Sequence, residues 1–195
     1  MNWRGIIFDL DGTLADSRLD FAGMRADTGC PAGTGLLEFM AAMDDCSERE
    51  QAMQTIHRYE MEGARAATWI DGAEAQCHRL VARRLPIGIF TRNSREAATL
   101  MIESLGIPCD RLIAREDAAA KPDPEGLLKI AGEFGLPVAD LLCVGDFRYD
   151  LEAAANAGMA SCLYDPGGDS PFAEQADHVI RCFSELEQLF PGDPS

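Results

Sequence analysis

Positive charge is scarce in this sequence: 17 Lys and Arg stand against 33 Asp and Glu, for a net charge of −16. Such a surface repels nucleic acid and anionic membrane, so neither is expected as a partner. An anionic ligand would therefore need a site that concentrates its own positive charge. No run approaches the roughly 18 apolar residues of a membrane span. The start, Met1-Asn2-Trp3-Arg4, enters a strand-like segment without the apolar stretch and cleavage site of a signal peptide. The seven cysteines (Cys30, Cys46, Cys77, Cys109, Cys143, Cys162 and Cys182) include no Cys-x-x-Cys pair and are odd in number. They offer no metal-ligand spacing and read as buried, reduced thiols rather than a disulfide framework, which points to the cytoplasm. None of the three histidines, His57 and His78 in helical patterns and His178 near a late strand, adjoins a motif described below. Repeats, low-complexity tracts and long linkers are absent too.

What is present is a chain of 195 residues, 47% hydrophobic and 26% charged, enough for one domain or a core with a small insertion. Short apolar runs at 5–9, 86–91, 111–114, 141–145 and 161–164 have the length and boundaries of buried strands. Helical patterns at 74–84, 94–105, 123–134, 150–157 and 183–190 fall between or after them. In the first, Ala75, Leu80 and Val81 share a face. Ser94 is an N-cap candidate, and Gly106, Gly135 and Gly158 are helix stops. Strand alternating with helix predicts a doubly wound α/β sheet, which binds ligands beyond the carboxyl ends of its strands. Residues 16–70 break the alternation. Helices over 21–26, 36–43 and 48–68, with no strand, predict a helical insertion, and Met40, Met43, Met53 and Met61 read as its packing surface. The tail 191–195 is expected to be disordered.

Four segments carry chemistry. Ile6-Ile7-Phe8-Asp9-Leu10-Asp11-Gly12-Thr13-Leu14 is an apolar strand ending in two carboxylates two residues apart, a candidate divalent-cation site. Ile87-Gly88-Ile89-Phe90-Thr91-Arg92-Asn93-Ser94 ends a strand in a hydroxyl before a helix start, where N–H groups favour an anion. Ala119-Ala120-Lys121-Pro122-Asp123-Pro124 places a lysine in a turn held by two prolines. Leu141-Leu142-Cys143-Val144-Gly145-Asp146-Phe147-Arg148-Tyr149-Asp150 ends a strand in Gly-Asp, with a second Asp four residues on. Each has a plain alternative: an acidic turn, an N-cap, a surface lysine, a helix-start carboxylate. In combination they deliver acids and a hydroxyl to one edge of the sheet.

In this order the four segments resemble the haloacid dehalogenase superfamily, most closely its phosphoglycolate phosphatase and β-phosphoglucomutase group. The resemblance covers the whole core and implies a Rossmann-like α/β core (residues 1–15 and 71–195) with a small helical cap (16–70) inserted after the first strand. It implies Mg²⁺ as cofactor and an aspartyl-phosphate intermediate. Asp9 is then nucleophile and metal ligand, and Asp11 the general acid/base with its carbonyl on the metal. Thr91 and Asn93 bind phosphate, with Arg92 a further candidate, Lys121 neutralises charge, Asp146 binds metal and Asp150 orients Lys121 or metal-bound water. The family's dehalogenases lack an acid at the Asp11 position and use no metal, so Asp9-Leu10-Asp11 favours phosphate chemistry.

The cap is expected to select the substrate, with hinges at Asp16-Ser17 and Asp71-Gly72, the loop 29–33 entering the site, and Arg18, Arg25 and Cys30 as candidate specificity residues. A closing cap suits a small phosphorylated metabolite, handled by a monomer or homodimer. Two rivals stand beside the phosphatase: a phosphomutase of the β-phosphoglucomutase type and a non-catalytic phosphate-binding protein.

Overall fold

The computed structural model describes residues 3–190, so the expectation for the tail 191–195 lies outside the described residues. The strands are β1 (Gly5–Phe8), β2 (Ala15–Asp16), β3 (Thr68–Trp69), β4 (Ile87–Phe90), β5 (Arg111–Ile113), β6 (Leu141–Gly145), β7 (Ala160–Tyr164) and β8 (His178–Ile180). The helices are α1 (Phe21–Thr28), α2 (Leu36–Ala41), α3 (Cys46–Ala66), α4 (Ala73–Ala82), α5 (Arg95–Leu105), α6 (Glu125–Phe134), α7 (Arg148–Ala157) and α8 (Leu186–Leu189).

Six strands form a parallel sheet in the order β5-β4-β1-β6-β7-β8. Buried on both faces, its central strands are apolar at every position. Successive residues serve opposite faces. Ile6, Phe8, Ile87, Ile89, Leu142 and Val144 enter one core cluster, while Ile7, Phe90, Leu141 and Cys143 enter the other. From β1 the chain reaches β4 and β5 on one side, then returns to β6 on the other. Strand order reverses at β1, and the crevice at its carboxyl end is where such a sheet receives a ligand.

The segment 16–70 departs from its expected all-helical character. Ala15–Asp16 pairs antiparallel with Thr68–Trp69, closing the helical excursion at its base. Two-residue strands carry no periodicity for sequence reading to detect. Between them α1, α2 and α3 hold a small core of Met40, Ala52 and Ile56, joined by Met43 and Met53, while Met61 packs against the main core. Asp45 starts α3 by accepting from the N–H groups of Ser47 and Glu48. In α4 the buried face is Ala73, Gln76, Cys77 and Leu80, leaving Ala75 and Val81 exposed. The helix begins at Ala73, and that first turn sets the buried stripe one residue away from the expected one. The closing segment is shorter than expected: a 3₁₀ turn at Phe183–Glu185 leads into α8. Among the described residues no helix is long and apolar enough to cross a membrane.

Candidate active site

Asp9 directly follows β1, and its N–H extends the ladder by donating to the Val144 carbonyl at 2.8 Å. Asp146 directly follows the neighbouring β6. The register pairs Phe8 with Val144, so the two carboxylates leave the sheet side by side. Asp9, Asp146 and Asp150 each offer an oxygen within 4.8 Å of the others. Lys121 crosses from the loop before α6 and donates to Asp9 Oδ1 at 2.7 Å and Asp150 Oδ1 at 2.6 Å. The Lys121 and Asp150 side chains are both buried.

Two glycines make this approach possible. Gly12 has φ of 80°, and a Cβ there would lie 2.5 Å from an Asp146 oxygen. At Gly145 a Cβ would collide with the Asp150 carboxyl group. The Thr13 hydroxyl then donates to Asp146 at 3.2 Å, and Asp150 also accepts the Phe147 N–H at 3.1 Å, at the head of α7.

Three carboxylates against one ammonium leave an excess of buried negative charge. Burial raises the Asp9 pKa; Lys121 pulls it down, and Asp150 and Asp146 push it up again. Asp146 is pushed up to about 6, first by burial and then by Asp150. Burial draws the Lys121 pKa down, but Asp150 and Asp9 more than restore it, above the ordinary lysine range. An all-oxygen donor set carrying surplus negative charge suits a hard divalent cation.

Asp11 stands apart from this cluster. Its carboxylate accepts from the Ser17 hydroxyl and the Asn93 amide. Burial raises its pKa, those two hydrogen bonds oppose the rise, and Glu60 and Asp16 reinforce it. Thr91, just past β4, is buried, and its hydroxyl accepts the Asn93 N–H at 3.1 Å. The start of α5, expected to welcome an anion, already holds two of the protein's own. The Ser94 N–H donates to Glu60 at 3.3 Å and the Arg95 N–H to Glu116 at 2.8 Å.

These groups open into a cavity of about 790 Å³ walled on its other side by the helical segment. Arg92 lines it and reaches both oxygens of Glu38 on α2 at 2.8 Å; its other nitrogen donates to the Lys121 carbonyl at 2.8 Å. Its guanidinium lies 4.3 Å from the centre of the Tyr149 ring. Arg92 is thus committed to a carboxylate of the helical segment. Arg25 lines the cavity too, with one nitrogen bound to the carbonyls of Pro31 and Thr34 at 2.8 and 2.7 Å. Arg18 is largely exposed beside Asp16. Cys30 is buried against Arg25 and is not part of the cavity wall. The loop 29–33 meets the cavity only at Gly33, with Thr34 and Gly35 following.

Sequence reading missed Thr13 and Ser17 as partners of Asp146 and Asp11, although Thr13 lies inside the first motif. It also missed the pair between Glu60 of α3 and Arg115 beyond β5, with contacts of 2.6 and 3.0 Å and both side chains largely buried. His57 joins the same seam, contacting Ser94 and Glu96 at 3.2 Å each. No local pattern signals partners that lie 55 residues apart.

The model of the haloacid dehalogenase-like hydrolases matches residues 3–158. A phosphoglycolate phosphatase of Xanthomonas campestris is 32% identical, covering 91% of this chain and 92% of its own. The validoxylamine A 7'-phosphate phosphatase of Streptomyces hygroscopicus is 26% identical, covering 92% and 94%. Among solved structures, a hydrolase from Pseudomonas syringae superposes with a TM-score of 0.79 at 21% identity, over 95% of this chain and 97% of its own, which bears on the fold alone. With four motifs converging at the carboxyl edge of a parallel sheet, and with these phosphatases as relatives, the chain belongs to the haloacid dehalogenase-like hydrolases and is a phosphatase of their phosphoglycolate phosphatase-like group.

Proposed function

We propose that this protein is a Mg²⁺-dependent phosphatase of small phosphorylated metabolites, acting in the cytoplasm through an aspartyl-phosphate on Asp9. The observation that carries this is Lys121 bridging Asp9 and Asp150, with Asp146 alongside. Asp9, Asp146 and the Asp11 carbonyl would hold the cation, with Asp150 beside them, and the cation would offset phosphate charge. The Asp9 carboxylate attacks phosphorus as the ester oxygen departs. Lys121 reduces the repulsion between the two anions, and the Thr91 hydroxyl and Asn93 amide donate to phosphoryl oxygens. Asp11, whose protonated form burial favours against the hydrogen bonds from Ser17 and Asn93, gives a proton to the leaving oxygen. It then takes a proton from the water that opens the acyl phosphate, restoring Asp9 and releasing phosphate. The helical segment 16–70 acts as the cap over this site. Seven free cysteines agree with a reducing compartment.

Phosphate release from a panel of phosphoesters should require Mg²⁺ and stop in EDTA. Undiminished release in EDTA overturns the metal requirement, and net isomerisation of a phosphohexose without free phosphate would favour a mutase.

The raised carboxylates give a second, pH-dependent test. Their folded pKa values exceed the unfolded ones, so the cation-free fold is favoured at low pH and loses stability as pH rises through about 6 for Asp146. A bound cation removes this penalty. At a hundredfold excess over Kd, Mg²⁺ should stabilise by about 2.7 kcal/mol, or about 5–10 °C in Tm. Differential scanning fluorimetry should find the larger shift at about pH 8 and the smaller at about pH 5. Equal shifts would separate cation binding from these carboxylates.

A further inference from the structure

We infer that the natural substrate is a phosphomonoester of an uncharged, ring-bearing alcohol considerably larger than glycolate. This rests on the phosphatase reading and narrows it.

The first observation is size. A cavity of about 790 Å³ lies within the range of roughly 300–1,000 Å³ that drug-sized ligands fill, far more than a two-carbon acid phosphate occupies. The volume belongs to a seated helical segment. Glu38 meets Arg92, Glu60 meets Arg115 and His57 meets Ser94 across the seam, so the space is not a gap left by an undocked segment.

The second observation is the wall. Among the described residues, two aromatic side chains stand among the exposed large apolar ones: Phe21 at 56% and Phe147 at 43%. Both line this cavity, one from each side. Phe147 packs edge-on against Tyr149 and Phe172, with ring centres 5.3 and 5.1 Å apart, and those rings line it as well. Exposed aromatic surface at the mouth of a polar site is suited to cover the face of a ring.

The third observation is charge. A second anionic group on the substrate would need a cation, and each of the five arginines lining the cavity already has a polar partner, the loosest being Arg18, largely exposed and 3.5 Å from Asp16. Arg92 is held by Glu38, Arg115 by Glu60, and Arg25 by two carbonyls. Among the described residues Arg148 has no carboxylate partner: it lies 4.8 Å from the centre of the Tyr149 ring and donates to the Tyr149 hydroxyl at 3.2 Å, with its Nε buried and unpartnered, so it is the one of these arginines with a buried donor to spare. Recruiting Arg92 or Arg115 would strand a carboxylate, and at Glu60 that carboxylate is buried.

The test compares kcat/KM for 2-phosphoglycolate, a hexose 6-phosphate, an inositol monophosphate, 1-naphthyl phosphate and acetyl phosphate. The expected result is at least one ring-bearing ester preferred over 2-phosphoglycolate by about tenfold or more. In F21A and F147A, both exposed and so tolerant of truncation, the ratio of kcat/KM for that ester to acetyl phosphate should fall about tenfold. A preference for 2-phosphoglycolate over every ring-bearing ester overturns the inference while leaving the phosphatase reading intact, and so does an unmoved ratio in both variants. No turnover of any compound, acetyl phosphate included, overturns both.

Discussion

Replacing Asp9 by Asn should abolish phosphate release, by about 10³-fold or more in kcat, while the protein remains folded. The amide is close to the carboxylate in shape but is too weak a nucleophile to attack phosphorus, and losing a nucleophile removes most of the catalysis that its partners support. Stability should move little. The carboxylate being removed is one whose charged form burial disfavours, and Lys121 keeps Asp150 as a partner at 2.6 Å. In the same variant the Mg²⁺-induced rise in Tm should shrink, because one member of the acidic cluster has become neutral. Phosphate release and scanning fluorimetry on one preparation would check both, with intact-mass analysis excluding deamidation back to Asp. Wild-type turnover by protein verified to carry the Asp9→Asn substitution would rule out Asp9 as the nucleophile.

Replacing Lys121 by Met should do double damage. Lys121 is 3% exposed and bridges two carboxylates, so its loss leaves Asp9 and Asp150 facing each other without the intervening charge. Breaking a buried ion pair from one side typically costs about 3–5 kcal/mol, and losing a positioned charge that stabilises a transition state costs about 10²–10³ in rate. The two effects can be separated. Adding Asp150→Asn to Lys121→Met removes a stranded charge, so denaturant melts should regain part of the lost stability while turnover stays low. A double variant as active as the parent would show that Lys121 serves packing alone. Arginine should not substitute, since its planar fork cannot occupy the position of a compact ammonium between two carboxylates.

Much of this site could be read along the chain because its residues are tied to strand ends. A central parallel strand is buried on both faces, so it is written as an unbroken apolar run, and the first polar residue after it marks the ligand edge. That is why Asp9, Thr91 and Asp146 stood out. Arg92 was named from the same run of sequence, but its partner is Glu38, 54 residues earlier, on a helix whose placement no local pattern encodes. The Glu60–Arg115 pair and the His57 contacts belong to the same seam between the helical segment and the core. Strands β2 and β3 were missed because a two-residue ladder has no period. Hydrophobic periodicity and turn chemistry are local, so they carried the alternation of elements, the ligand edge and the identity of its acids. Which arginines are already paired, how much room remains above the phosphate and what wall surrounds it depend on contacts between distant segments, which exist only once the helical segment is seated on the sheet.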